Sequence, residues 1–112
     1  MTTQMYAEKA RLSVVDFTID YTPDIDEVDP TDQLATSVWT VAGDLVIDDG
    51  TQFATKTATV WVSGGGNVGE VSRLTNIVTT VGGRTFHYVL LVKIVTFIPK
   101  DPADDPIEIP IL

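Results

Sequence analysis

The chain has 112 residues, a formal net charge of −9 and no cysteine. That length supports one domain with a single modest core, and the missing cysteines exclude disulfides and thiolate metal sites. No apolar run approaches the roughly 20 residues that span a bilayer, and sixteen acids against seven bases disfavour nucleic-acid phosphates, so neither a membrane nor a nucleic acid is expected as a partner.

The N-terminal stretch MTTQMYAEKARLS has no apolar run like that of an export signal. Residues 1–11 read as a separate N-terminal segment, in which Gln4–Ala10 is expected to form at most one helical turn. Leu12–Tyr21 is the first clear strand. Val15, Phe17, Ile19 and Tyr21 fall on one face and Asp16, Thr18 and Asp20 on the other, the period of two of a half-buried strand. Thr22–Gln33 (TPDIDEVDPTDQ) is an acidic loop with two prolines.

Leu34–Val41 is a second strand with Ala35, Ser37, Trp39 and Val41 on one side, and Trp39 is a candidate core aromatic. Gly43-Asp44 ends it, Leu45–Ile47 makes a short third strand, and Asp48-Asp49-Gly50 signals a turn. Gln52–Val62 sets Ala54, Ala58, Val60 and Val62 against Phe53, Thr55, Thr57, Thr59 and Trp61. Its threonines favour strand, because β-branched side chains fit a pleated surface and crowd a helix. Val71–Thr80 and Thr85–Ile98 are the last two strands, joined by the hairpin signal Val81-Gly82-Gly83-Arg84.

Repeated short strands without a convincing helix predict an all-β fold over residues 12–98, an Ig-like or fibronectin-like antiparallel β-sandwich in the loose sense. The paired cysteines of true immunoglobulin domains are absent. Residues 99–112, PKDPADDPIEIPIL, read as an extended C-terminal arm. Prolines exclude a central strand or helix there. Ile107, Ile109, Ile111 and Leu112 make the arm more apolar than a solvated tail, as suits docking on a neighbouring subunit.

Each motif suggestive of chemistry has a plainer reading. Gly64, Gly66 and Gly69 fit G-x-G-x-x-G, but the following VSRLTNIVTT is strand-like and no acid lies between Glu70 and Asp101. A dinucleotide site needs a helix and an acid at that spacing, so a connection between strands fits better. Asp24, Asp26, Glu27, Asp29 and Asp32 could offer oxygens to Ca²⁺. The EF-hand turn glycine is missing and Pro30 interrupts, so a solvated acidic loop fits better. His87 is the only histidine and alternates with Val89, Leu91, Lys93 and Val95, a strand-surface position. Ser63 is outside a G-x-S-x-G elbow, and Asp48 and Asp49 lie where no apolar pocket raises a pKa. No catalytic set, metal or cofactor is expected. Trp61 shares a face with threonines and is either a contact residue or packed with Phe53.

Charge is unevenly placed. Between Val71 and Pro99 there is no acid, and Arg73, Arg84 and Lys93 give +3; elsewhere sixteen acids face Lys9, Arg11, Lys56 and Lys100, giving −12. Such polarity suits subunits that pack head to tail. The basic hairpin and the arm are the expected intersubunit contacts, with Arg73, Arg84, Lys93 and Trp61 as interaction residues and the acidic loop open to a second partner.

TSVWTV (Thr36–Val41) followed by TVWVSGGGNVGEVSRLTNIVTTVGGRTFHYVLLVKI (Thr59–Ile94) resembles a family of small tailed-bacteriophage virion proteins described as fiber–tail adaptors or tail and neck accessory proteins. Trp39, Trp61, Ser63, Gly64, Gly65, Gly69, Thr75, Asn76, Thr79, Thr80, Gly83 and Arg84 carry the resemblance, which covers residues 34–95. The acidic loop and the arm have no counterpart in the pattern. The resemblance implies a non-enzymatic structural role in the virion, with other virion proteins and copies of itself in a symmetric oligomer or ring as partners. A capsid decoration or cement protein and an Ig-like host- or glycan-binding module are the alternatives.

Overall fold

A computed structural model of the chain describes residues 2–96, with side chains from Met5 onward. Seven strands run β1 (Thr2–Ala10), β2 (Val15–Asp20), β3 (Leu34–Ala42), β4 (Leu45–Phe53), β5 (Thr57–Gly64), β6 (Val71–Thr80) and β7 (Thr85–Val95), with one short helix, α1 (Thr22–Val28), between β2 and β3. They form a four-stranded sheet in the order β1-β7-β6-β3 and a three-stranded sheet in the order β2-β5-β4. The all-β, two-sheet architecture is the one expected from the alternation of the sequence.

The inner faces supply the core. Ala58, Val60 and Val62 of β5 meet Leu74 and Val78 of β6 and Leu90, Val92 and Ile94 of β7, all buried. Their removal from water is the main force holding the sheets together. Tyr21, at the end of β2, closes one end. Its ring lies 6.2 Å from that of Phe86 and 6.3 Å from that of Tyr88, the latter edge-on. Its hydroxyl donates to Oδ1 of buried Asn76 at 2.7 Å, and Asn76 Nδ2 donates to Ser37 Oγ and the Val38 carbonyl. One polar network thus ties the end of β2 to β6 and β3, with every donor given an acceptor.

Several boundaries differ from expectation, each for a local reason. Residues 2–10 are β1, not a detached segment with a helical turn, and β1 runs parallel to β7, so the larger sheet is mixed. Without β1, apolar β7 would present an unpaired edge, and that tertiary demand outweighs the weak helical preference of the N-terminus. Thr22–Gln33 contains α1, where Pro23 fits the first turn, Asp24 favours the positive end of the helix and Ile25 is buried. With only Ile25 buried among its seven residues and Val28 exposed, no apolar face repeats for long enough to detect.

Asp48-Asp49-Gly50 is no turn. β4 continues through it with register irregularities on either side of Asp49. Gly50 suits this position because a Cβ there would lie 3.2 Å from the Trp39 ring, a tight contact. The chain reverses instead at Ala54–Lys56, closed by Ala54 N–H to the Thr57 carbonyl at 2.9 Å. Gln52–Val62 is therefore split between β4 and β5, and Phe53 and Trp61 lie on opposite sides of the sheet: Phe53 pairs with inward Ala58, Trp61 with outward Asp16. In β3 a register shift between Leu34 and Thr36 puts Leu34, not Ala35, in the core, while Trp39 is buried and Val41, near the strand end, is exposed.

Candidate functional site

The hairpin cation is committed within its own chain. Arg84 Nη1 donates to Asp32 Oδ2 at 2.8 Å and lies 3.9 Å from Asp29. Asp32 is buried and also accepts from the backbone N–H groups of Gly82 at 2.8 Å and Gln33 at 2.9 Å. Its carboxyl is held well below the usual carboxylate range, chiefly by hydrogen bonding from the Thr80 hydroxyl, with Gly82, Arg84 and Gln33 adding to it against the opposing effect of burial. Within the chain, Arg84, expected as an interaction residue, locks the β6–β7 hairpin to the α1–β3 connection.

The other acids of that connection separate in the same way. Asp29 accepts from the Thr31 N–H and hydroxyl, and Asp26 pairs with Lys56 at 2.6 Å. Asp26 and Glu27 are exposed and Asp24 half-exposed. Among the described residues no three acidic, histidine or cysteine side chains converge on a metal position.

Arg73 and Lys93 stand on the outer face of the four-stranded sheet, both exposed. In that register Arg73 lies between Ala42 of β3 and Leu91 of β7, and Lys93 between Val71 of β6 and Glu8 of β1. Lys93 lines a surface cleft of about 490 Å³ with Tyr6, Ala7 and Glu8. His87 is exposed on the same face. Trp61 is 38% exposed on the opposite outer face, that of the three-stranded sheet, in one row with Asp16 of β2 and Asp49 of β4. Arg73 and Lys93 are therefore together on one side of the sandwich and Trp61 is on the other. Ile107, Ile109, Ile111 and Leu112 lie outside the described residues.

One feature was not singled out in the sequence. Lys9 is buried on the inner side of β1, where Nζ donates to the carbonyls of Ala10 at 2.9 Å, Gly64 at 2.8 Å and Arg11 at 3.4 Å. Burial lowers its pKa and nearby Asp48 partly offsets that. This lysine fastens the mixed sheet to the start of the glycine loop. That loop connects β5 to β6 with no helix after it, and Gly64, Gly65, Gly66 and Gly69 all adopt positive φ. Trp39, the candidate core aromatic, does join the core. Its Nε1 is the one buried side-chain polar atom without a partner among the described residues, beside a cleft of about 290 Å³ where β3 meets β4.

Residues 9–93 match a protein family described as podophage GP4 fiber-tail adaptor protein gp77. The chain belongs to this family. The matched span runs through both sheets, the glycine loop and the hairpin, and leaves out most of β1 and everything after Lys93. Membership of this adaptor family makes the protein a bacteriophage structural component, as the resemblance implied. A comparison with curated protein sequences finds no match. Among solved structures, a 2,6-sialyltransferase of Vibrionaceae Photobacterium sp. JT-ISH-224, crystallised with CMP and lactose, is similar at a TM-score of 0.45 and 10% identity. That match covers 85% of this chain and 18% of the sialyltransferase, and likeness at this level carries no functional argument.

Proposed function

We propose that this chain is a non-enzymatic tail component of a bacteriophage particle, made in the host cytoplasm, that joins other virion proteins and copies of itself in a symmetric set or ring. The observation that carries the reading is the fiber-tail adaptor family match across residues 9–93. The distribution of side chains supports it. Asp26, Asp29 and Asp32 around α1 are engaged within the chain, while broad outer sheet faces carry exposed Val38, Val71, Tyr6 and Trp61. Aromatic and apolar residues on an exposed face suit protein–protein contact. The layout is a sandwich body followed by the Pro/Ile arm, which docks on a neighbouring subunit.

Labelling the chain in intact particles and locating the label by electron microscopy tests the reading. Label at the tail is the expected result; label spread over the shell would make the chain a capsid decoration protein. Removing residues 99–112 is expected to lower incorporation, and normal incorporation of the truncated chain would remove the arm from the account.

A further inference from the structure

The two outer faces of the sandwich carry opposite charge. Strands β2, β4 and β5 contain Asp16, Asp20, Asp48 and Asp49 and no lysine or arginine. Strands β3, β6 and β7 contain Arg73 and Lys93 and no acid. Among the described residues of its strands, Glu8 of β1 is the single acid on the outer side of the four-stranded sheet, beside Lys93. The middle of the acidic face is specific in form: exposed Trp61 is in register with Asp16 on one neighbouring strand and Asp49 on the other. The Asp49 carboxylate is fixed by the Thr51 N–H at 3.0 Å, the Thr51 hydroxyl at 2.9 Å and Gln52 Nε2 at 3.3 Å. Those donors favour its charged form.

We propose that copies of this chain stack face to back, the outer face of the four-stranded sheet of one copy covering the outer face of the three-stranded sheet of the next, with Arg73 seated on Trp61 between Asp16 and Asp49. A planar guanidinium stacks on an indole face and its N–H fork reaches flanking carboxylates, so this row offers both attractions that arginine can use. Arg73 is suited to leave its own surface, since it is exposed between Ala42 and Leu91 and has no ion pair among the described residues. Exposed Val38 and Val71 on its sheet, and Thr18, Thr59 and Val46 around Trp61, supply surfaces free of bulky charge for the surrounding contact.

Charge also selects against the symmetric pairings. Two basic faces would set Arg73 and Lys93 against their copies, and two acidic faces would oppose eight aspartates across the contact. A face-to-back contact uses different patches on each partner, so it repeats and closes into a ring if its rotation allows. This inference deepens the assembly reading above and rests on it.

The absence of native cysteine makes the test direct. Thr40 and Thr18 are exposed on the two opposite faces. The double variant Thr18→Cys/Thr40→Cys, treated with a short bis-maleimide in assembled particles, should give a ladder beyond dimer on a denaturing gel, while each single variant stays monomeric. Arg73→Glu should reduce the ladder at least tenfold, and mixing it with a variant carrying Asp16→Arg and Asp49→Arg should restore alternating cross-links. Dimers from either single variant, or no ladder in particles that hold the chain at the tail, would overturn stacking and leave the tail reading intact. If the chain is found away from the tail, that reading falls, and cross-linking of the purified full chain at high concentration decides stacking by the same criteria.

Discussion

The guanidinium of Arg84 sits 2.8 Å from the Asp32 carboxylate of the same chain, across the gap between the β6–β7 hairpin and the segment leading into β3. The pair is an intrachain clasp: Asp32 is 7% exposed and its oxygens are also taken by the Gly82 and Gln33 amides. Its depressed pKa makes a signed prediction. In the unfolded chain an aspartate titrates near about 3.9, so between that value and the lower folded one the unfolded state binds more protons and stability rises with pH. The contribution of Asp32 is thus complete above the ordinary aspartate range and is lost as the solution is acidified through the folded value. Asp20, Asp29 and Asp49, also shifted down by hydrogen bonds from neighbouring threonines, act in the same direction. Asp32→Asn should lower Tm by several degrees at pH 7 and flatten the fall in Tm below pH about 4; an acid limb as steep as in the unaltered protein would show that other groups control it.

Tyr21 governs the opposite limb. Burial, with smaller contributions from Asp24 and Tyr88, pushes its phenol above the usual range. A raised pKa means that stability is complete below the unfolded value of about 10 and declines as pH rises toward the folded one. Tyr21→Phe should abolish that alkaline decline. At neutral pH it should cost about 1–3 kcal/mol by leaving buried Asn76 Oδ1 without a donor. Urea denaturation at pH 7 and at alkaline pH measures both effects.

Lys9→Met keeps length and apolar volume but removes the donors to Gly64, Ala10 and Arg11. The expected loss is about 1–3 kcal/mol. Amide exchange should become faster in residues 2–10 than in β6, because β1 is an edge strand paired on one side to β7. Uniform acceleration across both sheets would mean that Lys9 supports the whole sandwich rather than the attachment of β1.

How far these features were legible in the sequence depends on the range of the interaction that creates them. The alternation of Ala58, Val60 and Val62 is local, and it marked the inner face of β5 correctly. The outward position of Trp61 was one of two open readings, and only the turn at Ala54–Lys56, which separates it from Phe53, decides between them. Strand β1 exists through pairing with residues more than 80 positions away, and nothing within MTTQMYAEKA signals that partner. Arg84 carried a visible charge excess, but its partner Asp32 is 52 residues distant and stood in a run of five similar acids. Charge identity was readable; charge pairing required the fold. The same distinction explains the surfaces: the basic and acidic segments were evident as composition, while their separation onto opposite faces follows from β6 and β7 sharing one sheet and β2, β4 and β5 the other.

The glycine loop offers a comparison that separates backbone strain from crowding. Gly65 and Gly69 both hold positive φ, at +117° and +97°, conformations that L residues rarely adopt. A Cβ on Gly69 would meet nothing within 4 Å, whereas one on Gly65 would be driven into the Ile94 side chain, a fully buried core residue. Gly69→Ala should therefore cost about 1–3 kcal/mol from backbone strain alone. Gly65→Ala should cost more, because Ile94 must move within a close-packed interior. Equilibrium denaturation of the two variants measures the difference. Equal losses would mean that Ile94 repacks without penalty and that the loop tolerates a side chain against the core.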